Sequence, residues 1–561
     1  MKYFSTRGSE QVLSFEQAVL TGLAPNGGLY IPTNIPSLPS NWETEWANYS
    51  FTELSHAILS LYISPDEISP ADLKQLIEKS YSTFRHPEVT PTKRIVRENG
   101  GKEEEIFVLE LWHGPTFAFK DVALQFLGNL FEFFLKRKNA ALAEGGRQVK
   151  EEEKHKLTVV GATSGDTGSA AIYGLRGKEN VSIFILYPLG RVSPIQEAQM
   201  TTVPDANVHT VAVKGTFDDC QDIVKALFSD HEFNAHHKLG AVNSINWARI
   251  LAQIVYYFSA YFSVKRQATT PALQFVVPTG NFGDVLAGYY AKRMGVPMSH
   301  LGIGTNENDI LSRFWKTGRY EKVASNVMVE DDSEEAVGAM APVGGSTDGS
   351  QAGPGVKATL SPAMDILVSS NFERLLWYLA YESESGEGEA RRKAACATVD
   401  GWMSKVKSDG RVVLPTSVLE VARRDFVAER ISDEQTLDTI RKYFTSKSTP
   451  YVVDPHTAVG LAAAEAIAST PSVSPSTSPT QIVLSTAHPA KFSEAVNEAL
   501  ANSPGFDFES QVLPVEFKGL LEKQKRVIEV PRPEIELVKG VIEKVARKET
   551  TTTEVGGDAS L

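Results

Sequence analysis

The feature that most constrains this chain is a pattern that recurs along its middle and again near its end. A short apolar run is followed by a turn rich in Gly, Ser or Thr, and then by apolar residues at helical spacing. LTVV (157–160) leads into GATSGDTG (161–168) and a helical stretch at 169–175. LQFVV (273–277) leads into PTGNFGD (278–284) and a helical stretch at 285–294. QIVL (481–484) leads into STAHP (485–489), and residues 181–186 and 208–213 are further buried-strand candidates. Strands alternating with helices predict an α/β fold with parallel sheets. Such sheets bind ligands at the carboxyl ends of their strands, which is where these turns lie.

The remaining chain organises around that core. Its 561 residues suffice for about three to four domains. Residues 1–95 read as a mostly helical N-terminal segment, with helical spacing at 13–23 and 51–61 and a boundary marked by Pro87 and Pro91. Residues 96–380 form an α/β region in two halves with a site between them. Residues 381–447 read as an insertion of charged helices, residues 448–545 complete the α/β region, and 546–561 is a disordered tail. Stretches 331–357 and 470–480 lack the apolar residues to pack and read as loops.

Several function classes are excluded. Lys and Arg number 56 against 69 Asp and Glu, a net charge of −13. That balance lacks the basic footprint of a nucleic-acid binder and makes an anionic membrane surface a poor partner. It leaves small anionic substrates open, because a local site can oppose the global charge. The richest apolar stretch, 122–135, is broken by Gln125, Gly128, Asn129 and Glu132, so no membrane-spanning helix is expected. The opening MKYFSTRGSEQ has no long apolar core, so neither a secretory signal nor a transit peptide is expected. Two cysteines, Cys220 and Cys396, make no disulfide framework and fit a reducing, cytoplasmic setting. The histidines are scattered, and neither H-x-x-x-H nor C-x-x-C occurs, so no metal site is expected. A Ser/His/Asp hydrolase would need a G-x-S-x-G elbow, which is absent.

Four constellations could carry chemistry. In WHGPTFAFKD (112–121), Lys120 opens a strongly apolar helix. Lysine is seldom buried unless paired or modified, and a desolvated lysine becomes a nucleophile toward carbonyls. A lysine whose stem snorkels at a helix start satisfies the same spacing. In PTGNFGD, Gly280 and Gly283 permit close backbone approach, and the following helix start makes an anion site. This turn matches neither G-x-G-x-x-G nor the P-loop pattern. Asp284 is awkward there beside a phosphate, and a plain strand-to-helix turn also fits. In ATSGDTGS (162–169), hydroxyls and backbone N–H groups could hold a carboxylate, although Ser and Thr are ordinary helix caps. STAH (485–488) offers neutral donors and acceptors at a strand end, as does any polar turn.

Together, HGPTFAFKD, ATSGDTGSAA, SINWARILAQ, PTGNFGD, STAHPAKF and the opening YFSTRG resemble the threonine synthases, and most closely their long fungal and bacterial form. The motifs run in the family's order from residue 3 to residue 492. The resemblance implies a fold-type II enzyme dependent on pyridoxal 5'-phosphate, related to the tryptophan synthase β-subunit. It implies conversion of O-phospho-L-homoserine and water to L-threonine and phosphate. By the same resemblance, Lys120 matches the Schiff-base lysine and the base for the Cα and Cβ protons. Gly280, Asn281, Phe282 and Asp284 match the cofactor turn, and Thr486 matches the residue opposite the pyridine nitrogen. The turn with Thr163, Ser164 and Thr167 matches the loop that holds the substrate carboxylate. Many fold relatives carry Asn where this chain has Asp166, which points to a different task for that residue.

A doubly charged phosphate on the substrate calls for local cations in an acidic chain. Arg249, with Asn246 three residues before it, is the first candidate, and Arg7 the second; a structural ion pair is the other reading of either arginine. Serine/threonine dehydratases and cysteine synthases are the competing enzymes of the same fold, but they lack the long N-terminal segment and this form of the lysine motif. The expected partner is the small-molecule substrate, with no nucleic acid or membrane, in a monomer or small homo-oligomer.

Overall fold

The computed structural model describes residues 1–9, 11–99, 102–267, 272–322, 355–470 and 479–557. Two sheets carry the molecule. The larger has six strands in the order Phe426–Arg430, Leu301–Thr305, Leu273–Pro278, Thr480–Ser485, Lys102–Glu110, Thr92–Asn99. The smaller has five, in the order Ile528–Val530, Val208–Val213, Val181–Pro188, Leu157–Ala162, Leu239–Gly240. Every neighbouring pair is parallel except one: Thr92–Asn99 runs antiparallel to Lys102–Glu110. The parallel expectation is therefore corrected at that edge. A hairpin edge needs cover on fewer sides than a buried parallel strand, and it carries charges such as the Arg97–Glu104 pair at 2.6 Å.

The apolar runs that read as strands are strands, each matching or exceeding its expected span by one or two residues at an end. Four strands of the large sheet escaped the pattern: the antiparallel pair Thr92–Asn99 and Lys102–Glu110, and two parallel strands. Leu301–Thr305 contains Gly302 and Gly304, which sequence rules count against a strand. Here the glycines are required: a Cβ on Gly302 would meet Ile467 at 2.9 Å, and one on Gly304 would meet Ala463 at 3.0 Å, both on the covering helix Pro455–Ala468. The second is Phe426–Arg430, inside the segment expected to be purely helical. That segment does hold the helices Gly388–Ser408, Thr416–Asp425 and Asp433–Phe444. Between them, Phe426–Arg430 pairs with Leu301–Thr305 as the edge of the large sheet, so 381–447 is not a simple insertion.

The N-terminal segment holds the helices Phe15–Thr21, Phe51–Tyr62 and Pro70–Tyr81, with an antiparallel ribbon of Tyr3–Ser5 and Tyr30–Pro32. Its expected limit at 95 cuts the strand Thr92–Asn99, which belongs to the large sheet. The helix Ile535–Gly557 continues well into the expected tail. Residues 558–561 lie outside the described residues, as do most of the loop at 331–357 and residues 471–478 of the run at 470–480. The apolar stretch at 122–135 forms part of the helix Lys120–Leu142, which is buried on all sides in its first half. No described helix is long and apolar enough to cross a membrane.

The helices Lys120–Leu142 and Asp166–Leu175 both begin at strand ends and cross at two glycines. A Cβ on Gly128 would lie 1.9 Å from the Gly174 carbonyl oxygen, and one on Gly174 would lie 2.4 Å from the Leu124 carbonyl oxygen. The crossing distance, and with it the spacing of the two helix starts, depends on neither residue having a side chain. Gly128→Ala is expected to cost about 1–3 kcal/mol by overpacking. Denaturant unfolding measures this, and an unchanged midpoint would show that the helices can separate freely.

Candidate active site

Lys120 is set by the loop before its helix. The Asp121 carboxylate accepts from the Thr116 N–H and the Thr116 hydroxyl, each at 2.7 Å, and so folds the loop back on the helix start. Gly114 lies beneath it, where a Cβ would be 2.4 Å from the Asp121 Cβ. The loop is then laced to the end of the strand Thr480–Ser485. Leu111 N–H donates to Ser485 O at 3.0 Å, Phe119 N–H to Thr486 O at 2.8 Å, and His488 N–H to Phe117 O at 3.1 Å. These bonds place Thr486, a buried neutral hydroxyl, next to Lys120. Trp112 closes one side, donating from its indole N–H to the Ser485 hydroxyl at 2.9 Å and stacking on His113 at 4.2 Å. Burial pushes the neighbouring His488 down to about 4, so this ring is neutral.

The Lys120 side chain keeps partial solvent access. Desolvation pushes its amine down to about 8; Asp166 opposes that fall, while Arg249 and Lys491 add to it. Asp166, at the start of the second helix, is the missing partner. Its Oδ1 lies 2.8 Å from the Lys491 Nζ and accepts from Gln196 Nε2 at 2.8 Å. Burial alone would raise the Asp166 carboxyl, but Lys491 and Lys120 outweigh it and hold the group below the usual carboxylate range. Lys491 is itself 1% exposed and also donates to Thr116 O at 2.8 Å. Asp166 therefore sits between two lysines, bonded to Lys491 and within electrostatic reach of Lys120. Sequence reasoning quoted Lys491 within STAHPAKF and gave it no role. A lysine between Ala490 and Phe492, just after a buried strand, was the available signal.

The turn at 161–168 divides its hydroxyls. Thr163 is buried, and its Oγ1 accepts from the N–H groups of Gly165 at 3.0 Å and Gly168 at 2.8 Å, so its side chain builds the turn. Ser164 is exposed and Thr167 half-buried. The following helix has no side-chain cap at Gly165, whose φ of 148° is closed to most residues, and its N-terminal end is left for a ligand.

The turn at 279–284 is braced by the segment 361–371. Ser369 Oγ donates to Gly280 O at 2.7 Å, Ser370 Oγ to Asn281 Oδ1 at 3.0 Å, and Asn371 N–H to Asn281 O at 3.0 Å. A Cβ on Gly280 would meet Ala363 O at 2.9 Å. Phe282 adopts the left-handed φ of 64° and buries its ring against Trp315 and Phe372. The helix Gly283–Met294 thus begins with no side-chain cap, a second open anion site.

Asp284 does not face that site as a free charge. Its Oδ1 accepts from the hydroxyls of Tyr256 and Tyr257, two residues that sequence reasoning missed, and its Oδ2 has no partner among the described residues. Burial pushes it up to about 7, against the two tyrosine bonds. A carboxyl that is about half protonated at neutrality softens the clash with a phosphate that the sequence raised.

The two arginines part company. Arg249 is 3% exposed, donates from one NH group to Val242 O at 3.0 Å, and leaves its Nε without a partner among the described residues. Burial pushes it down to about 10, with Tyr256 opposing, and no carboxylate pairs with it among the described residues. A buried guanidinium with no counter-ion is a strong demand for an anion. Arg7 instead makes a two-pronged bond to Glu373, at 3.0 and 2.8 Å, which Thr6 joins at 2.6 Å. Arg7 is thereby committed to structure. So is Asn246: its Oδ1 caps the Ala248 N–H at 3.1 Å, and its Nδ2 holds Val19 O at 2.9 Å, tying down the N-terminal segment. Among the described residues, no three His, Cys, Asp or Glu side chains gather to hold a metal.

This donor set fits pyridoxal 5'-phosphate. It offers an amine with lowered proton affinity, an uncapped helix start behind a glycine turn, a buried arginine without an ion pair and a buried threonine bonded through its backbone to the Lys120 loop. Residues 84–359 match the family described as "Pyridoxal-phosphate dependent enzyme". The chain is an enzyme of that class, with the fold-type II architecture. Residues 2–81 match "Threonine synthase N terminus", and residues 457–542 match "Threonine synthase, C-terminal". Threonine synthase of Schizosaccharomyces pombe is 54% identical over 98% of this chain and 99% of its own length. That of Saccharomyces cerevisiae is 51% identical over 97% and 98%. The crystal structure of threonine synthase from yeast superposes with a TM-score of 0.85 at 51% identity, covering 98% of this chain and 99% of that one. The PLP-bound threonine synthase from Brucella melitensis gives 0.78 at 37% identity, covering 98% and 100%. The chain belongs to the threonine synthase family.

The raised proton affinity of Asp284 makes a stability prediction. In the unfolded chain this carboxyl loses its proton near 3.8, and in the folded chain near 7. Between those values the folded state binds more protons than the unfolded one, so rising pH erodes stability, and above about 7 the loss is complete. Asp284→Asn cannot ionise. Its melting temperature relative to the parent is expected to improve steadily from about pH 4 to about pH 7 and then level off. A difference that does not change with pH would show that Asp284 ionises normally.

Proposed function

We propose that this chain converts O-phospho-L-homoserine and water to L-threonine and phosphate, with Lys120 as the catalytic base and the lysine that holds the cofactor. The observation that carries this reading is the Lys120 amine, adjusted to about 8 within a family whose relatives of similar length are threonine synthases. Gly280, Asn281, Phe282 and the helix start at Gly283 would hold the cofactor phosphate through backbone N–H groups. Thr486 would face the ring nitrogen without imposing a charge. Bound there, pyridoxal 5'-phosphate supplies an electron sink for bonds broken at the substrate's Cα and Cβ.

The chain's own residues supply position and proton transfer. A neutral Lys120 takes the Cα proton, gives it up again within the site and so is neutral once more to take a Cβ proton, and it returns a proton as the product forms. Phosphate departs from Cγ, and a water oxygen bonds to Cβ. Arg249 balances charge on the substrate or cofactor phosphate, in a pocket whose other cations, Lys120 and Lys491, share Asp166. Ser164, Thr167 and the helix start at Asp166 offer the substrate carboxylate neutral donors. Thr163 shapes that turn, and Asn246 positions the helix that carries Arg249. A cytoplasmic setting agrees with two buried free cysteines, Cys220 and Cys396. The reading takes the working unit as a monomer or small homo-oligomer.

The direct test is release of inorganic phosphate from O-phospho-L-homoserine, with and without added pyridoxal 5'-phosphate. Cofactor-dependent release with equimolar threonine is expected, and Lys120→Ala should abolish it. Phosphate release without threonine, or preference for threonine or O-acetylserine as substrate, would point to another reaction of the same fold.

A pH profile probes the roles more closely. Because Lys120 must be a neutral amine to accept a proton in the substrate complex, kcat should fall as pH drops below about 8. Asp166 raises the Lys120 pKa, so Asp166→Asn should move that acidic limb to lower pH. A limb that stays in place would place the titrating group elsewhere.

A further inference from the structure

A cavity of about 630 Å³ lies beside the loop that carries Lys120, walled by that loop, by the helices Lys120–Leu142 and Asp166–Leu175, and by the segment 516–523. None of Lys120, Asp166, Arg249 or Thr486 lines it. Its charge runs against that of the chain. Arg85, Arg176, Lys178 and Lys523 line it, with Glu516 as the one acid on the wall. Behind the wall, Lys178 shares the Glu132 carboxylate with Lys79 and Lys136, at 3.9, 2.7 and 3.4 Å. Three ammonium groups therefore converge on one carboxylate, with only Glu179 nearby to help Lys136, at 3.2 Å. Asp205 pairs with Arg176 at 2.6 Å, and Glu516 with Arg85 at 2.7 Å, which still leaves Lys523 and the crowded lysines in excess. Burial and then Lys79 push Lys178 down to about 8, as expected of a cation short of negative partners.

The second observation is polar and uncharged. Gln125 and Gln199 are 6% and 3% exposed and line the same cavity. The Gln125 Nε2 donor and the Gln199 Oε1 acceptor have no partner among the described residues. Buried amides are rarely left half-satisfied, and here one donor and one acceptor stand unpaired at the wall of a cationic cavity. Phe117, Tyr173, Phe517 and Leu520 give it an apolar side.

We propose that this cavity is a second binding site, for a small organic anion that carries a carboxylate or phosphate group. The cations take the oxyanion, the glutamine amides turn about their last bond to meet polar atoms, and the apolar side takes the organic body. A cavity of this size with such a mixed lining suits a small molecule. Occupancy reaches the catalytic site by a short path. Gln199 Nε2 and Lys491 Nζ donate to the same Thr116 carbonyl, at 3.2 and 2.8 Å, and Lys491 holds Asp166 beside Lys120. A ligand that draws on Gln199 alters what Lys491 holds, so the site is placed to tune the enzyme.

Calorimetric titration of the full, cofactor-loaded chain tests this, with citrate and 3-phosphoglycerate as probes and glycerol as the neutral control. One equivalent of at least one anion should bind with a Kd below about 1 mM, and which anion binds assigns the oxyanion group. Lys178→Gln and Lys523→Glu should each weaken binding by at least about tenfold while leaving kcat/KM without the probe unchanged. Lys523 is exposed, so its variant keeps the test valid if the half-buried Lys178 variant folds poorly. No binding of either anion at about 10 mM, glycerol binding as tightly as the anions, or anion binding that Lys523→Glu leaves unaltered would overturn the proposal.

Discussion

The catalytic site depends on one buried ion pair, Lys491 with Asp166. Each charge is almost wholly removed from water, and Lys491 and Lys120 together keep the Asp166 carboxylate ionised. Losing one member of such a pair strands the other and costs about 3–5 kcal/mol. That cost explains why the pair is so well held: Thr116 O fixes Lys491, and Gln196 fixes Asp166. Because Asp166 also raises the proton affinity of Lys120, the pair governs how easily that amine gives up its proton. The structural ion pair and the chemical one are the same object.

The fold's part is to bring three chain segments to one point. Leu273–Pro278 and Thr480–Ser485 are parallel neighbours in the large sheet, so their turns leave at the same end, and Asp166 joins the turn after Leu157–Ala162 in the small sheet to Lys491 and Lys120. Two of these turns open helices whose N-cap residues supply no side-chain cap, which leaves first-turn N–H groups and a positive potential without spending cations. The net charge of −13 is thereby reconciled with an anionic substrate. The site relies on backbone donors, on an arginine without an ion-pair partner among the described residues and on a carboxyl, Asp284, whose burial raises its proton affinity.

The sequence made legible whatever is local. Lys120, the turn at 280–284 and Thr486 each sit within a strand-turn-helix pattern that can be read from a dozen residues. It could not show which side chains the fold would spend on itself. Thr163, Asn246 and Arg7 have the chemistry of ligand-binding groups, yet each is consumed by a turn, a cap or an ion pair whose partner is supplied by tertiary packing. Lys491 and the Tyr256–Tyr257 pair failed the other way. Their importance comes from contacts with Asp166 and Asp284, which lie far off in the chain. Leu301–Thr305 was hidden because its glycines answer to a helix packed on the far side of the sheet, not to its own strand.

The lacing of the Lys120 loop to residues 485–488 sets an order of assembly. A ribosome releases the N-terminal part of a chain first. Lys120, Asp166 and Arg249 all emerge long before Thr486 and Lys491, the residues that anchor the loop and neutralise Asp166. Until that last strand enters between Leu273–Pro278 and Lys102–Glu110, the large sheet is split in two and the Lys120 amine lacks its surroundings. Nascent or truncated chains therefore lack these contacts, and the surroundings of Lys120 are complete only when nearly the whole protein has been made.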